Sequence, residues 1–212
     1  MHLYLFEHCV LCFRVRMIAA LKNIRLQETV VLDDDTETMV SLVGKRMVPI
    51  LVKDDGSAML ESMDIVRYIE TRGRPVLTGQ ERSEIASWAN ATAPKAAPLT
   101  QSRYPLLGLP EFGTVAALNH YTLRKRKTLG NLVELRSQTD DLMQELMPAL
   151  EELDRLIESS QAVNGALSMD DIRVLPLLRS IAVLKDLRLP DRVRLYFETM
   201  MDKIGYQPLP AI

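Results

Sequence analysis

The sequence predicts an α/β domain at the N-terminus followed by an all-helical domain at the C-terminus. Short apolar segments alternate with helical patterns through residue 72, whereas beyond residue 81 apolar residues recur mainly at helical spacings. Between these regions the segment GRPVLTG, residues 73–79, contains glycine and proline without a helical period. We therefore expect domains at residues 1–72 and 81–212, joined by a linker at 73–80.

The first region is predicted to fold in the order β-α-β-α-β-β-α, which a single sheet of four strands flanked by helices accommodates. The predicted strands are residues 3–6, 26–32, 48–52 and 58–60, and the predicted helices are residues 10–22, 36–43 and 62–72. The sequence DDGS at 54–57 is typical of the hairpin turn between the last two strands. The acidic run at 33–35 forms a cap region before the second helix, and Ser62 is expected to cap the third.

In the second region an apolar stripe predicts one long amphipathic helix, which Pro148 interrupts and is expected to bend. The stripe consists of Leu132, Leu135, Leu142, Leu146, Leu150, Leu153 and Ile157. Further helices are predicted at about residues 81–102, 112–127, 169–185 and 190–204. The aromatic residues Trp88, Tyr104 and Tyr121 are expected either in the core or in a cleft between the domains.

The composition excludes several classes of partner. With 47% hydrophobic and 25% charged residues, the chain resembles an ordinary globular protein, and a net charge of −2 with interspersed signs leaves no basic face for nucleic acid or lipid. The basic run at 124–127 is therefore expected to be solvated or to interact with a helix end. The N-terminal sequence MHLYLFEHC lacks the features of a signal peptide, and no apolar run approaches the length of a membrane span. We expect a cytoplasmic protein with no nucleic-acid or membrane partner.

The only cysteines, Cys9 and Cys12, stand directly after the first predicted strand and at the start of the first helix. At such a junction the spacing C-x-x-C is typical of a redox pair. The helix N-terminus supplies backbone N–H groups and the positive end of a dipole, which favour thiolate over thiol. We expect Cys9 to be the catalytic nucleophile and Cys12, one turn further along the helix, to be the resolving thiol.

A zinc site is the alternative for this cysteine pair. Zinc in a closed site takes four ligands, and the only histidines are His2, His8 and His120, so the ligand count favours redox chemistry and we expect no metal. His8 precedes the nucleophile and either tunes it or, in the favoured interpretation, is a solvated residue at the end of a strand. Arg14 and Arg16 either hold a thiolate or carboxylate or form a solvated helix face.

Three segments together resemble the glutathione-binding half of glutaredoxins and glutathione transferases: the cysteine pair, Val48-Pro49-Ile50 and Glu61-Ser62-Met63-Asp64. The resemblance implies a thioredoxin-like fold in which Pro49 is cis and lies against the active cysteine, while the Val48 backbone pairs with the cysteinyl part of glutathione. It also implies that Glu61 and Ser62 bind the γ-glutamyl group, with the Ser62 hydroxyl and a helix N-terminus receiving its carboxylate. From the residues alone, Ser62 is equally compatible with a plain N-cap.

The resemblance extends into the helical half. Residues 164–172, NGALSMDDI, are similar to a buried capping box in glutathione transferases and in the large two-domain bacterial glutaredoxins, with Ser168 and Asp171 at S-x-x-D spacing. We expect these two residues to stabilise the fold and to have no catalytic role. One departure from the family pattern is Val10-Leu11 between the cysteines, where typical dithiol glutaredoxins have proline and an aromatic residue. This change is expected to alter the thiolate pKa and the redox potential.

The resemblance implies a glutathione-dependent thiol-disulfide oxidoreductase that reduces protein disulfides and glutathione mixed disulfides, with glutathione as co-substrate and an active site facing the cleft between the domains. Three other functions stay open. A glutathione transferase usually has a Ser or Tyr hydroxyl where this chain has Cys9. A carrier of a glutathione-ligated [2Fe-2S] cluster would combine thiols from two subunits and glutathione. A partner-binding module would use the fold only as a scaffold.

Overall fold

The structure is a computed structural model that describes all 212 residues. Its packing divides the chain into two units, each with its own hydrophobic core. Unit 1 comprises Met1–Pro75 and Tyr104–Thr128, and unit 2 comprises Val76–Arg103 and Leu129–Ile212. The segment 104–128 therefore packs with the N-terminal residues, although the boundaries predicted from the sequence assign it to the helical domain.

The chain forms four strands, nine α-helices and two short 3₁₀ helices. The strands are β1 (His2–Leu5), β2 (Gln27–Val30), β3 (Ile50–Val52) and β4 (Ala58–Met59). The α-helices are α1 (Val10–Leu21), α2 (Thr36–Val43), α3 (Ser62–Glu70), α4 (Ser83–Gln101), α5 (Val115–Leu129), α6 (Leu132–Ser137), α7 (Thr139–Leu156), α8 (Met169–Ile181) and α9 (Asp191–Ile204). The 3₁₀ helices are Tyr104–Leu106 and Pro110–Phe112. The order β-α-β-α-β-β-α predicted for the first region is confirmed, and none of the helices combines the length and apolar character that a membrane span requires.

The sheet of unit 1 has the strand order β2-β1-β3-β4. Strand β1 is parallel to β2 and antiparallel to β3, with Tyr4 opposite both Thr29 and Ile50, and β4 is antiparallel to β3. Leu3 and Leu5 are completely buried, because alternate side chains of a strand share one face. Since β1 and β3 run in opposite directions, the end of β1 and the start of β3 lie at the same end of the sheet.

Helix α1 leaves that end of the sheet and packs against α3. Its buried apolar side chains are Phe13, Val15, Met17, Ile18 and Ala19. Burial of a large side chain such as Phe or Ile contributes on the order of 1.5–3 kcal/mol. The contact therefore fixes the direction of α1 and, with it, the position of the residues at its N-terminus.

Two of the predicted elements differ in the structure. Ser62 does not cap α3, because it is the first helical residue and Glu61 occupies the cap position without a side-chain hydrogen bond. The single long helix expected across residues 132–157 is wrong, since α6 and α7 are separate helices that meet at Gln138. Pro148 lies inside α7 and does not end it.

Unit 2 consists of helices only, with α4 packed against α7 and α8, and α9 packed against α7 and α8. The buried Trp88 belongs to this core, and its Nε1 donates a hydrogen bond to the Ala149 carbonyl at 2.6 Å. The predicted capping box is confirmed, since Ser168 and Asp171 cap α8 reciprocally. Asp171 also accepts a hydrogen bond from the Tyr196 hydroxyl at 3.0 Å, which links the start of α8 to α9.

Candidate active site

Cys9 occupies the N-cap position of α1, where the chain turns from the sheet into the helix. Its Sγ accepts a hydrogen bond from the Cys12 backbone N–H at 3.4 Å, in the manner of a capping side chain. Cys9 is partly exposed, whereas Cys12 is 1% exposed, and both are free thiols. The predicted placement of the pair at a strand-to-helix junction is therefore confirmed, and the two thiols differ in their access to solvent.

The environment separates the acidities of the two thiols. A hydrogen bond from the Cys12 side chain lowers the pKa of Cys9 from 9.0 to about 6, against the opposing effect of burial. The value of about 6 also includes smaller lowering contributions from the charge of His8 and from the backbone N–H groups of Cys12 and Leu11. Burial, followed by the interaction with Cys9, raises the pKa of Cys12 well above its usual range. Cys9 is therefore the thiol that ionises first.

His8 is not the solvated residue that the sequence favoured. Its imidazole is 11% exposed, and Nδ1 lies 2.5 Å from Oε1 of Glu111, which is completely buried. The same carboxylate oxygen accepts a hydrogen bond from the His8 backbone N–H at 3.0 Å. Sequence reasoning missed Glu111, because it lies 103 positions from His8 in a short 3₁₀ helix that carries no motif.

Four aromatic rings surround the His8 imidazole. The rings of Phe6 and Phe112 are stacked with it, at centroid distances of 5.7 and 5.5 Å, and Tyr104 lies tilted at 4.7 Å. Tyr121 meets its edge at 5.4 Å. Tyr104 and Tyr121 are thus core residues of unit 1, which was one of the two positions expected for them.

Val48 and Pro49 immediately precede β3, and the peptide bond between them is cis, as the family resemblance implies. Both residues are buried. If the antiparallel register of β3 with β1 is continued by one residue, Pro49 lies opposite Leu5, at the end of the sheet from which the chain proceeds to Cys9. The Val48 backbone makes no hydrogen bond within the protein.

Glu61 and Ser62 stand at the N-terminus of α3. Glu61 is exposed and has φ 64° and ψ 105°, a backbone conformation that is strained for a residue with a side chain. The Ser62 hydroxyl is buried and accepts a hydrogen bond from Arg14 Nη1 at 3.4 Å. Since Arg14 belongs to α1, this contact connects the helix that begins after Cys9 with the helix that begins at Ser62.

Arg16 and Asp33 have roles that the sequence did not indicate. Arg16 is 7% exposed and forms ion pairs with Glu7 at 2.6 Å and Glu28 at 2.7 Å, so it is part of a buried charge cluster and not of a solvated face. Asp33 is completely buried and binds the side chains of Arg46, His120 and Arg124. Arg124, from the basic run at 124–127, therefore has a partner within unit 1.

The comparisons with known proteins identify the family. Residues 84–209 match the family model "Glutaredoxin 2, C terminal domain", and residues 8–72 match "Glutathione S-transferase, N-terminal domain". Glutaredoxin 2 of Escherichia coli strain K12 is 40% identical over 201 residues, which is 94% of each chain. The crystal structure of glutaredoxin 2 from Salmonella typhimurium in complex with glutathione has a TM-score of 0.94 and 34% identity, covering 98% of this chain and 96% of that one.

A glutathione transferase from Phanerochaete chrysosporium, GSTFuA3, shares the fold, with a TM-score of 0.76 at 14% identity over 97% of both chains. The fold class predicted from the sequence, a thioredoxin-like N-terminal part with a helical C-terminal part as in glutathione transferases, is thereby confirmed. The 40% and 34% identities to the two glutaredoxin 2 proteins, over 94% and 98% of this chain, exceed what a shared fold alone would give. The chain belongs to the glutaredoxin 2 family of glutathione-dependent oxidoreductases.

Proposed function

We propose that this protein reduces glutathione mixed disulfides and protein disulfides, with Cys9 as the nucleophile and Cys12 as the resolving thiol. The main support is the unequal environment of the two sulfurs. Cys9 is partly exposed at a helix N-terminus with a pKa of about 6, so it is mostly thiolate at neutral pH, while the buried Cys12 stays protonated.

In the one-cysteine route, the Cys9 thiolate attacks the glutathione sulfur of a mixed disulfide. A Cys9–glutathione disulfide forms, and the substrate leaves as a thiolate that takes a proton from water. A second glutathione thiolate then attacks the glutathione sulfur of this intermediate, which yields glutathione disulfide and restores the Cys9 thiolate. In each cycle the sulfur of the incoming glutathione is oxidised and one substrate sulfur is reduced, while the glutathione sulfur of the mixed disulfide passes unchanged from one disulfide to another.

In the two-cysteine route, Cys9 attacks one sulfur of a protein disulfide and forms a mixed disulfide with the substrate. Cys12 loses its proton and attacks the Cys9 sulfur, so the substrate leaves with both sulfurs reduced. The resulting Cys9–Cys12 disulfide is reduced by two glutathione molecules. A buried thiol with a raised pKa suits this second step, because it does not compete for the first attack.

We propose Val48, Pro49, Glu61 and Ser62 as the glutathione-binding residues. The unpaired Val48 backbone, next to the cis Pro49, is able to pair with the peptide backbone of glutathione. The N-terminus of α3 offers free N–H groups for a carboxylate, and the Ser62 hydroxyl lies beside them. The strained Glu61 backbone is consistent with a binding role, since such conformations are concentrated at functional sites.

The natural substrates are proposed to be disulfide-containing or glutathionylated proteins, and the proposed location is the cytoplasm. The support is chemical. Both cysteines are free thiols, and the proposed cycle consumes reduced glutathione as its electron donor. A reducing compartment provides this donor and keeps the Cys9–Cys12 pair in the form that begins the cycle.

The test is glutathione-dependent reduction of a glutathionylated peptide by wild type, Cys9→Ser, Cys12→Ser and Ser62→Ala. We expect Cys9→Ser to be inactive and Cys12→Ser to remain active on this substrate, but to lose reduction of protein disulfides. Ser62→Ala is expected to raise KM for glutathione about tenfold, the effect of losing one hydrogen bond to a charged group. Ser57→Ala, in the exposed hairpin turn, is the matched control.

Activity in Cys9→Ser would contradict the assignment of the nucleophile. An unchanged KM for glutathione in Ser62→Ala would contradict the proposed binding site, while leaving the roles of the cysteines intact. The purified protein is also examined by visible absorption, because a glutathione-ligated [2Fe-2S] cluster would give a coloured protein.

A further inference from the structure

The pair formed by His8 and Glu111 lies next to the proposed nucleophile and is not explained by the thiol chemistry above. Glu111 comes from the 3₁₀ helix Pro110–Phe112, far from Cys9 in sequence, and its side chain is completely buried. One of its oxygens, Oε1, binds both Nδ1 and the backbone N–H of His8. Two contacts to the same residue fix both the ring and the backbone immediately before Cys9.

The burial of the Glu111 carboxylate makes His8 its essential partner. Burial alone would raise the pKa of Glu111, but the hydrogen bond and charge of His8 outweigh it and lower that pKa. A buried carboxylate needs a compensating positive charge, and the imidazole at 2.5 Å provides it when protonated. The pair therefore places an imidazole bound to a buried carboxylate at the residue that precedes Cys9.

The aromatic rings around His8 hold this geometry. Phe6 and Phe112 stack on the imidazole with interplanar angles of 6° and 19°, and Tyr121 blocks rotation by meeting its edge at 81°. With Nδ1 bound to Glu111, the ring cannot exchange its two nitrogens without breaking a buried hydrogen bond. The other nitrogen, Nε2, makes no hydrogen bond to the protein.

We infer that His8 and Glu111 are a positioning pair for the reaction of Cys9, in which Glu111 fixes the ring and its charge so that the imidazolium stabilises the Cys9 thiolate. This inference rests on the proposed function, since it assigns a task only if Cys9 is the nucleophile. The thiolate is formed before the first attack and again whenever glutathione disulfide departs. The pair acts at both points without touching the substrate.

The other charged groups of this region have different partners or weaker effects. Arg46, Arg124 and His120 all bind Asp33, whose negative charge offsets part of the charge of the two guanidinium groups. Lys125 interacts electrostatically with Cys9, but burial lowers the pKa of this lysine. The Tyr121 phenol is neutral at physiological pH, because burial raises its pKa well above the usual range. His8 is thus the basic residue that directly precedes the nucleophile and has a completely buried carboxylate as its partner.

The experiment measures the titration of Cys9 directly, by thiolate ultraviolet absorbance and by the rate of alkylation with iodoacetamide as a function of pH, in a Cys12→Ser background. The absorbance change and the alkylation that are lost in Cys9→Ser are assigned to the Cys9 thiolate. The test variants are Glu111→Gln, which keeps the shape and an acceptor oxygen, and His8→Phe, which suits the aromatic surroundings but carries no charge. His120→Gln is the matched control, because it breaks another histidine–carboxylate pair of the same unit, at 2.7 Å.

We expect the Cys9 midpoint to rise by about one pH unit or more in Glu111→Gln and in His8→Phe, as loss of a neighbouring opposite charge predicts. The double variant should shift no more than either single variant, because the two residues act as one unit. The midpoint in His120→Gln should not change. Glutathione-dependent activity at pH 6–7 should fall in both test variants and recover at higher pH, with KM for glutathione unchanged.

Each result has a distinct meaning. If the midpoint stays near that of the parent in both test variants while their unfolding temperatures fall, the pair is purely structural and the inference is overturned. If Glu111→Gln does not fold, His8→Phe alone decides between the two outcomes by the same titration. Failure of the proposed function would appear elsewhere, as activity that persists in Cys9→Ser whatever the midpoint.

Discussion

Asp33 and Asp35 lie two positions apart and have unrelated roles. The comparison shows which roles of a residue can be predicted from its sequence neighbours and which cannot. Asp35 caps α2 by accepting a hydrogen bond from the Thr38 backbone at 3.0 Å, and this local contact was predicted from the acidic run before the helix. Asp33 binds Arg46, His120 and Arg124, which lie 13 to 91 positions away. No pattern of neighbouring residues reveals such partners, so its burial could not be predicted.

The Asp33 cluster gives a first prediction about stability. Asp33→Asn removes the negative charge and leaves the Arg46 and Arg124 guanidinium groups and His120 without their carboxylate partner. We expect a loss of about 2–3 kcal/mol in the free energy of unfolding, below the value for a fully buried pair because the cations keep access to water. Urea denaturation is the measurement, with Asp34→Asn as the control. Equal stability of the two variants would contradict a stabilising role of the cluster.

The same distinction applies to the candidate site. The placement of Cys9 and Cys12 at the start of α1 was predictable because strand end, helix start and C-x-x-C spacing are all local signals. The burial of His8 was not, because its carboxylate partner and three of the surrounding rings come from the segment 104–128. The sequence contains the residues of the site but not the tertiary contacts that change their chemistry.

At the scale of elements, local sequence signals predicted where a helix begins better than where it ends. The capping box of Ser168 and Asp171 is closed by contacts three residues apart, so its spacing was sufficient evidence. The division between α6 and α7 at Gln138 was missed, because the apolar period continues across it and no glycine or proline marks the break. Pro148, the residue expected to disturb the helix, is accommodated within α7.

Gly79 lies at the end of the segment predicted as a linker. A substitution at Gly79 tests how closely this segment packs within unit 2. The Gly79 N–H donates to the Leu167 carbonyl at 2.7 Å, and a Cβ at this position would lie 2.3 Å from the Ala166 carbonyl oxygen. We predict that Gly79→Ala lowers the free energy of unfolding by about 3 kcal/mol, because backbone must move to relieve the overlap. Thermal and urea unfolding provide the measurement.

Gly44→Ala is the comparison for this variant. It has φ 75° but nothing within 4 Å of the added Cβ, so only the left-handed backbone opposes the substitution, at a cost of about 1 kcal/mol. If Gly79→Ala were no more destabilising than Gly44→Ala, the close approach of the linker to the 166–167 backbone would be wrong.

For the whole molecule, the division by packing differs from the division along the sequence. The segment 104–128 follows α4 in the chain but packs with the N-terminal residues, and it supplies Glu111 and most of the rings around His8. Composition and periodicity predict a helix in this segment, which is correct for α5. They do not indicate with which of the two hydrophobic cores the segment packs. The family resemblance was predictable from short motifs spread along the entire chain, and the comparisons confirm it.

The lowered pKa of Cys9 predicts how the stability of the reduced protein depends on pH. A thiol whose pKa is about 8.5 when unfolded and about 6 when folded stabilises the folded state fully above the unfolded value. This contribution is lost as the pH falls toward and through 6. Between pH 8 and pH 6, we expect the difference in unfolding free energy between reduced wild type and Cys9→Ser to shrink by about 2 kcal/mol at most.

Urea denaturation at a series of pH values provides this measurement. Cys12 does not obscure it, because both proteins carry this thiol, which stays protonated when folded, and its ionisation in the unfolded chain cancels in the difference. A difference that stayed constant from pH 8 to pH 6 would show that the folded state does not favour the Cys9 thiolate.

The most direct test of the central assignment is to find which sulfur forms the mixed disulfide with glutathione. Cys12→Ser and Cys9→Ser are each incubated with glutathione disulfide near neutral pH, and the adducts are located by peptide mass spectrometry. We predict a glutathione adduct on Cys9 in Cys12→Ser and none on the buried Cys12 in Cys9→Ser. Equal or preferential modification of Cys12 would contradict the account, because the protonated and buried thiol would then be the nucleophile.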